Sequence, residues 1–216
     1  MTYIVEGKNI SLSQNEFLTS GGQGNIYVKN GIVYKVYIEP DKMIPYKKIQ
    51  ELSVLTDPNI IKPEHGIYES KKLVGYTMPF LDKTFTLCEL FTRAFRVSNG
   101  LGQKEILDLV KDLKRIIEFV HSKGILIVDL NELNFLVSDT FKTLFAIDVD
   151  NWQTPSFPAQ AMMANIKDPH AKSFSQLTDW YSFAILSFQM IVNCNPFRGT
   201  HPIHGKKWQE RMKLNA

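Results

Sequence analysis

The amino-acid sequence predicts an α+β protein, with a strand-rich first half and a helical second half. Two runs of β-branched and aromatic residues, Leu18 to Val28 and Ile32 to Ile38, flank Lys29-Asn30-Gly31. Asn-Gly favours the tight turn of a β-hairpin. Apolar residues then recur at helical spacing from Gln103 to His121, and a second apolar helix is predicted from Trp180 to Val192. Strands followed by helices are typical of α+β architecture.

Two further elements are predicted in the first half. Ile49, Leu52 and Leu55 lie three residues apart, which predicts a short helix from Tyr46 to Leu55. Asp57-Pro58 then ends it, because the residue before a proline is disfavoured in helical conformation. The segment from Lys72 to Pro79 predicts another strand.

The long helix of the second half is the clearest element. It carries one apolar stripe made of Ile106, Leu109, Val110, Leu113, Ile116, Ile117 and Val120. Gly124 lies just beyond it, where a glycine commonly terminates a helix. Two short strands, Phe135 to Val137 and Thr143 to Ile147, are predicted before the second helix.

Composition limits the class of protein. With 216 residues, 44% of them hydrophobic, the chain can bury a substantial core as one two-lobed domain or as two small domains. Its net charge of +3 is spread along the chain, which does not indicate nucleic-acid binding. Cys88 and Cys194 lack metal-ligand spacing and predict a reducing, cytoplasmic compartment. No apolar segment predicts a membrane span.

A glycine-rich segment, LTSGGQGNIY, is the first candidate for binding a ligand. Gly21, Gly22 and Gly24 lie between two strands, where backbone amides could approach phosphate oxygens. An ordinary hairpin turn is the alternative. Lys35 follows within Val33-Tyr34-Lys35-Val36-Tyr37, and a lysine among apolar residues must snorkel or meet an anion. The alternative is an exposed lysine on an edge strand.

Three oxygen-bearing side chains form the second candidate. Asp129 and Asn134 lie five residues apart in a loop before a predicted strand, and Asp148 ends the next strand. Pairing of those strands would bring the three together. Carboxylate and amide oxygens, with positions left open for phosphates, suit Mg²⁺. The alternative is that these residues only form turns at strand ends.

In their order, these residues resemble the eukaryotic-type protein kinase family. The catalytic loop of that family carries Asp, four residues and Asn, followed after a short hairpin by a metal-binding Asp. Asp129, Asn134 and Asp148 match this pattern. The segments from Asp179 to Ala184 and from Asn195 to Phe197 are similar to the buried C-lobe helix and the turn after it.

The resemblance implies one kinase-like domain over residues 1–216 with a two-lobed fold. Residues 1–81 would form the β-rich N-lobe and hinge, and residues 82–216 a helical C-lobe that lacks the last helices.

The resemblance also implies ATP and Mg²⁺ as cofactors and assigns a role to each matching residue. Asp129 and Lys35 are the catalytic residues, with Lys35 on the α- and β-phosphates, and Asn134 and Asp148 hold the metal. Met78 is the gatekeeper, followed by the hinge, where the Pro79 carbonyl and the Leu81 amide pair with adenine. The nucleotide-binding set is Gly21, Gly22, Gly24, Ile26, Val33, Lys35, Met78, Pro79, Leu81 and Leu136.

Several positions depart from the family pattern. Ile127-Val128 replaces His-Arg before the catalytic Asp, and Asn131 replaces a phosphate-contacting lysine. Asp148-Val149-Asp150 stands where the family has Asp-Phe-Gly. Asp150 is interpreted as a turn residue, with an extra metal ligand as the alternative. Glu51 is the candidate acidic partner of Lys35, although it lies about one helical turn from the family position.

The leading hypothesis from the sequence is ATP-dependent phosphorylation of protein Ser or Thr hydroxyls. The absent arginine and Asn131 leave a second hypothesis, a non-catalytic nucleotide-binding or scaffold domain. A small-molecule kinase is the third, because such enzymes share the fold and the core residues.

Overall fold

The computed structural model describes residues 1–159, 162–203 and 207–214. The chain divides into two compact units, one made of Met1–Asp82 with Asp148–Asp150, and the other of Lys83–Ile147 with Asn151–Ala216. The first is strand-rich and the second mainly helical, which confirms the predicted α+β class and its two parts. The interpretation of both units as lobes of one domain stays a prediction.

A seven-stranded antiparallel sheet forms the first unit, in the order β2-β1-β6-β7-β5-β4-β3. Its strands are β1 Thr2–Val5, β2 Lys8–Ser11, β3 Phe17–Ser20, β4 Gly24–Lys29, β5 Ile32–Tyr37, β6 Gly66–Glu69 and β7 Lys72–Pro79. The predicted hairpin joins β4 and β5, with Lys29 opposite Ile32. Asn30 and Gly31 both have positive φ, 53° and 74°, as the tightest hairpin turns require.

The first unit differs from the sequence prediction in three places. The run from Leu18 to Val28 is two strands, β3 and β4, because the glycines turn the chain within it. Helix α1 spans Tyr46–Leu52 and so ends three residues before the predicted Leu55. The short strands β1, β2 and β6 were not predicted.

Helices dominate the second unit. They are α2 Arg93–Ser98, α3 Gln103–Ser122, α4 Gln176–Val192 and α5 Trp208–Leu214. A small antiparallel sheet in the order β10-β9-β8 accompanies them, with β8 Thr84–Thr86, β9 Phe135–Ser138 and β10 Leu144–Ala146. Along α3, six of the seven predicted stripe residues are buried, and α3 packs against α4.

The ends of the two long helices follow from their caps. Gly124 has φ of +70° just beyond α3, in the left-handed conformation that a glycine adopts without a Cβ clash. Helix α4 begins four residues before the predicted Trp180, because the Ser175 hydroxyl accepts from the Thr178 amide and caps it. Within residues 1–159, 162–203 and 207–214, no helix combines the length and apolar character that crossing a membrane requires.

Candidate active site

Lys35 lies in the middle of the large sheet and is almost fully buried. Its strand, β5, runs between β4 and β7, so the alternative of an exposed lysine on an edge strand is wrong. The side chain does not snorkel to solvent; Lys35 is only 6% exposed. Its Nζ lies 2.8 Å from Oδ2 of Asp150. A buried ammonium requires such a partner, because losing water without compensation would disfavour its charge.

Two tyrosines complete the surroundings of this ion pair. The Tyr37 hydroxyl donates to the same Asp150 oxygen at 2.8 Å. Lys35 Nζ also lies 5.4 Å from the centre of the Tyr37 ring and 5.5 Å from that of Tyr76, within range of cation–π attraction. Burial, and then the Asp150 carboxylate, raise the pKa of both tyrosines, so both hydroxyls stay protonated.

The charge of Lys35 keeps the Asp150 carboxyl ionised at a site where burial alone would favour its neutral form. Burial raises the pKa of its carboxyl, but the Lys35 charge and the hydrogen bonds from Lys35 and Tyr37 outweigh this and lower the pKa below its usual value. Asp150 belongs to a single 3-10 turn, Val149–Asn151. The turn interpretation was therefore incomplete: Asp150 is also the buried carboxylate that pairs with Lys35.

Glu51 was the candidate acidic partner of Lys35 from the sequence, but the carboxylate that lies at Lys35 Nζ is that of Asp150. Glu51 lies on α1 beside Lys47, with 4.0 Å between the nitrogen and oxygen atoms. Helix α1 instead brings Lys48 towards the ion pair, and its Nζ donates to the main-chain oxygen of Asp150 at 2.6 Å. Burial lowers the pKa of Lys48, while the charges of Asp150 and Glu51 oppose this shift.

The glycine-rich segment is a tight turn joining β3 and β4. The Gly21 amide donates to the Gly24 carbonyl at 2.9 Å, which closes the turn. Within it, the Gln23 side chain reaches Lys35, with 3.3 Å between Oε1 and Nζ. A Cβ at Gly22 would meet nothing within 4 Å, whereas one at Gly24 would lie 2.7 Å from the Val36 oxygen. Gly24 is therefore required by strand packing, and phosphate binding by the loop stays a prediction.

The predicted adenine-binding positions of the first unit lie on β4, β5 and β7. Met78 packs against the cluster of Tyr37, Ile49 and Tyr76, next to the Lys35 site. Val33 is opposite Met78. Pro79 ends β7, and the Phe80 amide after it donates to the Gly31 carbonyl at 3.1 Å, which fixes the start of the predicted hinge. The other predicted nucleotide-binding positions are Ile26 on β4, opposite Lys35, Leu81 in the predicted hinge, and Leu136 on β9 of the second unit.

In the second unit, the loop before β9 brings Asp129 and Asn134 together. The Asn134 Nδ2 donates to the Asp129 main-chain oxygen at 2.8 Å and lies 3.4 Å from its Oδ2. The other carboxylate oxygen, Oδ1, accepts from the Met163 amide at 2.8 Å. The prediction that Asp129 and Asn134 lie close together is therefore correct within this unit.

Asp179 fixes the chain just before Asp129. Its carboxylate is fully buried and accepts from the Ile127 and Val128 amides, both at 2.9 Å. The same group lies 2.9 Å from Nε2 of His121 on α3. Val128 has φ of +65°, a left-handed conformation that costs a β-branched residue roughly 1–3 kcal/mol. The hydrogen bonds that Asp179 accepts offset this strain, and His121 is a side-chain partner of Asp179.

Asn131 stabilises the loop from inside. It is buried, its Oδ1 accepts from the Leu133 amide at 2.8 Å, and its Nδ2 donates to the Asp129 oxygen at 3.3 Å. Asn131 thus closes a local turn at the position where the kinase pattern has a phosphate-contacting lysine.

Comparisons with known proteins agree with this geometry at the level of the fold. No family model and no curated protein matches the sequence. Among solved structures, the chain is similar to the Cydia pomonella granulovirus kinase PK-1, with a TM-score of 0.67 and 16% sequence identity. The match covers 92% of this chain and 74% of the viral kinase chain. The chain has a protein-kinase-like fold. This confirms the fold that the sequence resemblance implied.

A protein-kinase-like fold generally implies a nucleotide and a divalent metal, and each unit of this chain offers an oxygen donor of the kind that Mg²⁺ takes. Asn134 uses its Nδ2 within the loop, which leaves Oδ1 as the atom for a metal. Asp148 is exposed and has φ of +54°. Among the residues that the structure describes, no three His, Cys, Asp or Glu side chains form a metal cluster.

Sequence reasoning missed four residues of these networks: Tyr37, Lys48, Tyr76 and His121. A signal existed for Lys48, because it precedes Leu52 by four residues and so shares the buried face of α1. The second aspartate of Asp148-Val149-Asp150 was noticed, but its partner could not be predicted from local spacing.

Proposed function

We propose that this chain is a kinase-like phosphotransferase that moves the γ-phosphoryl group of ATP to Ser or Thr hydroxyls of a protein in the cytoplasm. The observation that carries the proposal is the hydrogen bonding of Asn134 to Asp129 within one loop. This loop supplies a carboxylate for the hydroxyl and an amide oxygen for Mg²⁺. The protein-kinase-like fold supports the same conclusion.

Each residue has a distinct task in the proposed reaction. The Asp129 carboxylate orients the substrate hydroxyl and accepts its proton as the hydroxyl oxygen bonds to the γ-phosphorus. The bond from that phosphorus to the β,γ-bridging oxygen breaks in the same step, and ADP leaves. Lys35 binds the α- and β-phosphates with its ammonium. Asn134 and Asp148 hold Mg²⁺, which when bound neutralises the charge that develops on the phosphate oxygens.

Transfer of labelled phosphate from ATP to a mixture of general protein substrates tests this proposal. Asp129→Asn and Asp148→Asn should each lower the transfer rate by about 100-fold or more, the usual contribution of a general base or a metal ligand. Asp139→Asn is the matched control, because Asp139 is exposed in the β9–β10 turn. Full activity in both of the first two variants would contradict the proposal.

A second candidate is a non-catalytic nucleotide-binding domain. The observation that favours it is the Asp129 carboxylate, whose Oδ1 accepts from the Met163 amide. Asn131 also lacks the charge that would stabilise a transferring phosphoryl group. This candidate predicts that MgATP raises the melting temperature of the chain while no phosphate reaches any protein; measurable transfer above the Asp129→Asn background would exclude it.

A further inference from the structure

We propose that Asp150 is the residue that positions the Lys35 ammonium for nucleotide phosphates, in place of a carboxylate on helix α1. This inference rests on the proposed function, because it assumes that Lys35 binds phosphates. It assigns Asp150 as a positioning residue, which acts on the nucleotide only through Lys35.

The geometry of the carboxylate supports a positioning role. Lys35 and Tyr37 are two residues apart on β5, so both side chains point to the same face of the sheet. Both bind one oxygen of Asp150, at 2.8 Å each. Two donors from one strand fix the direction of the carboxylate, and the carboxylate in turn fixes the ammonium. Asp150 itself is 1% exposed, so water does not compete for these contacts.

Helix α1 holds Asp150 rather than Lys35. Its buried charged residue is Lys48, a cation, which cannot pair with the Lys35 ammonium. Lys48 binds the main-chain oxygen of Asp150 at 2.6 Å, and Glu51 lies beside Lys47. The support therefore runs from α1 through Lys48 to Asp150, and from Asp150 to Lys35. Helix α1 therefore stabilises the position of Lys35 indirectly, through Lys48 and Asp150.

The side of the Lys35 ammonium that does not contact Asp150 is directed to the glycine turn. An ammonium has three N–H donors; one of them is directed to Asp150, and another reaches Gln23 at 3.3 Å. Gln23 is a neutral and longer contact on an exposed loop residue. A phosphate oxygen carries more charge than this amide oxygen, so it can replace Gln23 while the bond to Asp150 stays in place.

Nucleotide binding, measured without turnover, tests the inference. The full chain is titrated with a fluorescent, non-hydrolysable ATP analogue in the presence of Mg²⁺, after circular dichroism and thermal melting have shown that each variant folds. Asp150→Asn and Lys35→Met should each weaken binding by about tenfold, the scale of one charge-assisted hydrogen bond. Glu51→Gln is the control and should stay within about twofold of the wild type.

The double variant Lys35→Met/Asp150→Asn separates positioning from a general structural effect. If Asp150 acts through Lys35, the double variant binds no more weakly than Lys35→Met alone. Losses that multiply would overturn the inference, because Asp150 would then act independently of Lys35. Wild-type binding by Asp150→Asn, or equal weakening by Glu51→Gln, would also overturn it and leave the proposed function intact.

Two other outcomes are decisive. If the wild-type chain binds no ATP analogue, the proposed function fails and this inference fails with it. If Asp150→Asn does not fold, Tyr37→Phe takes its place, since it removes only the second donor to the same oxygen. Tyr37→Phe should weaken binding by about threefold, as expected for one neutral hydrogen bond, and an affinity equal to that of the wild type would overturn the inference.

Discussion

Two glycines of one loop have very different surroundings, and this difference predicts different effects of substitution. A Cβ at Gly24 would lie 2.7 Å from the main-chain oxygen of Val36 on the neighbouring strand, whereas a Cβ at Gly22 would meet nothing within 4 Å. We expect Gly24→Ala to lower the free energy of unfolding by about 1–3 kcal/mol, because the backbone of β5 must shift. Gly22→Ala is the matched control. Urea unfolding followed by circular dichroism measures both, and equal stability of the two variants would contradict the prediction.

Residues whose partners are close in sequence were predictable, and those with distant partners were not. Asp129 and Asn134 meet because five residues of one loop join them, so their spacing alone indicated the contact. Lys35 and Asp150 are 115 residues apart. Their pairing depends on where the whole sheet and the 3-10 turn bring the backbone. Local spacing therefore favoured Glu51, which lies nearer in sequence but beside Lys47.

At the scale of elements, Asp179 connects the two long helices to the loop that carries Asp129. It lies on α4, pairs with His121 of α3, and accepts from the amides of Ile127 and Val128. We expect Asp179→Asn to lower the free energy of unfolding by roughly 3 kcal/mol, because it places an amide against buried donors and removes the charge. It should also lower phosphoryl transfer, since Val128 loses the contacts that offset its strain.

Asp108→Asn on α3 is the control for this prediction. Asp108 forms an exposed pair with Lys111, and such pairs contribute at most about 1 kcal/mol. Thermal melting and phosphate transfer are compared for both variants. An Asp179→Asn protein as stable and as active as Asp108→Asn would show that the buried carboxylate does not hold the loop.

The long elements were predicted well because each carries many repeats of its own pattern. Helix α3 runs over twenty residues with one apolar stripe, and β7 matches its predicted bounds. Strands β1, β2 and β6 have four residues each, too few for alternation to stand out. Their structure is set by neighbours in the sheet, since β6 pairs with both β1 and β7.

At the scale of the whole molecule, the first unit is discontinuous in sequence. It consists of Met1–Asp82 together with Asp148–Asp150. Within the described residues, this late segment supplies the carboxylate that pairs with Lys35 and the main-chain oxygen bound by Lys48. Both lysines are 6% exposed. The stability of the strand-rich unit therefore depends on three residues that follow it by more than sixty positions along the chain.

A fragment of residues 1–82 tests this dependence. The folded form of this fragment would bury Lys35 and Lys48 without the Asp150 atoms that they bind, and an uncompensated buried charge costs several kcal/mol. We expect the fragment to be largely unfolded, and Lys35→Met/Lys48→Met to raise its stability. In the full chain the same double substitution should lower stability by roughly 3–5 kcal/mol, because it leaves the Asp150 carboxylate buried alone. Urea unfolding, followed by circular dichroism, measures the free energy of unfolding of the fragment and of the full chain, each with and without the double substitution. The substitution should raise this free energy in the fragment and lower it in the full chain. A double substitution that acts in the same direction in fragment and full chain would show that Asp150 does not stabilise the unit through these lysines.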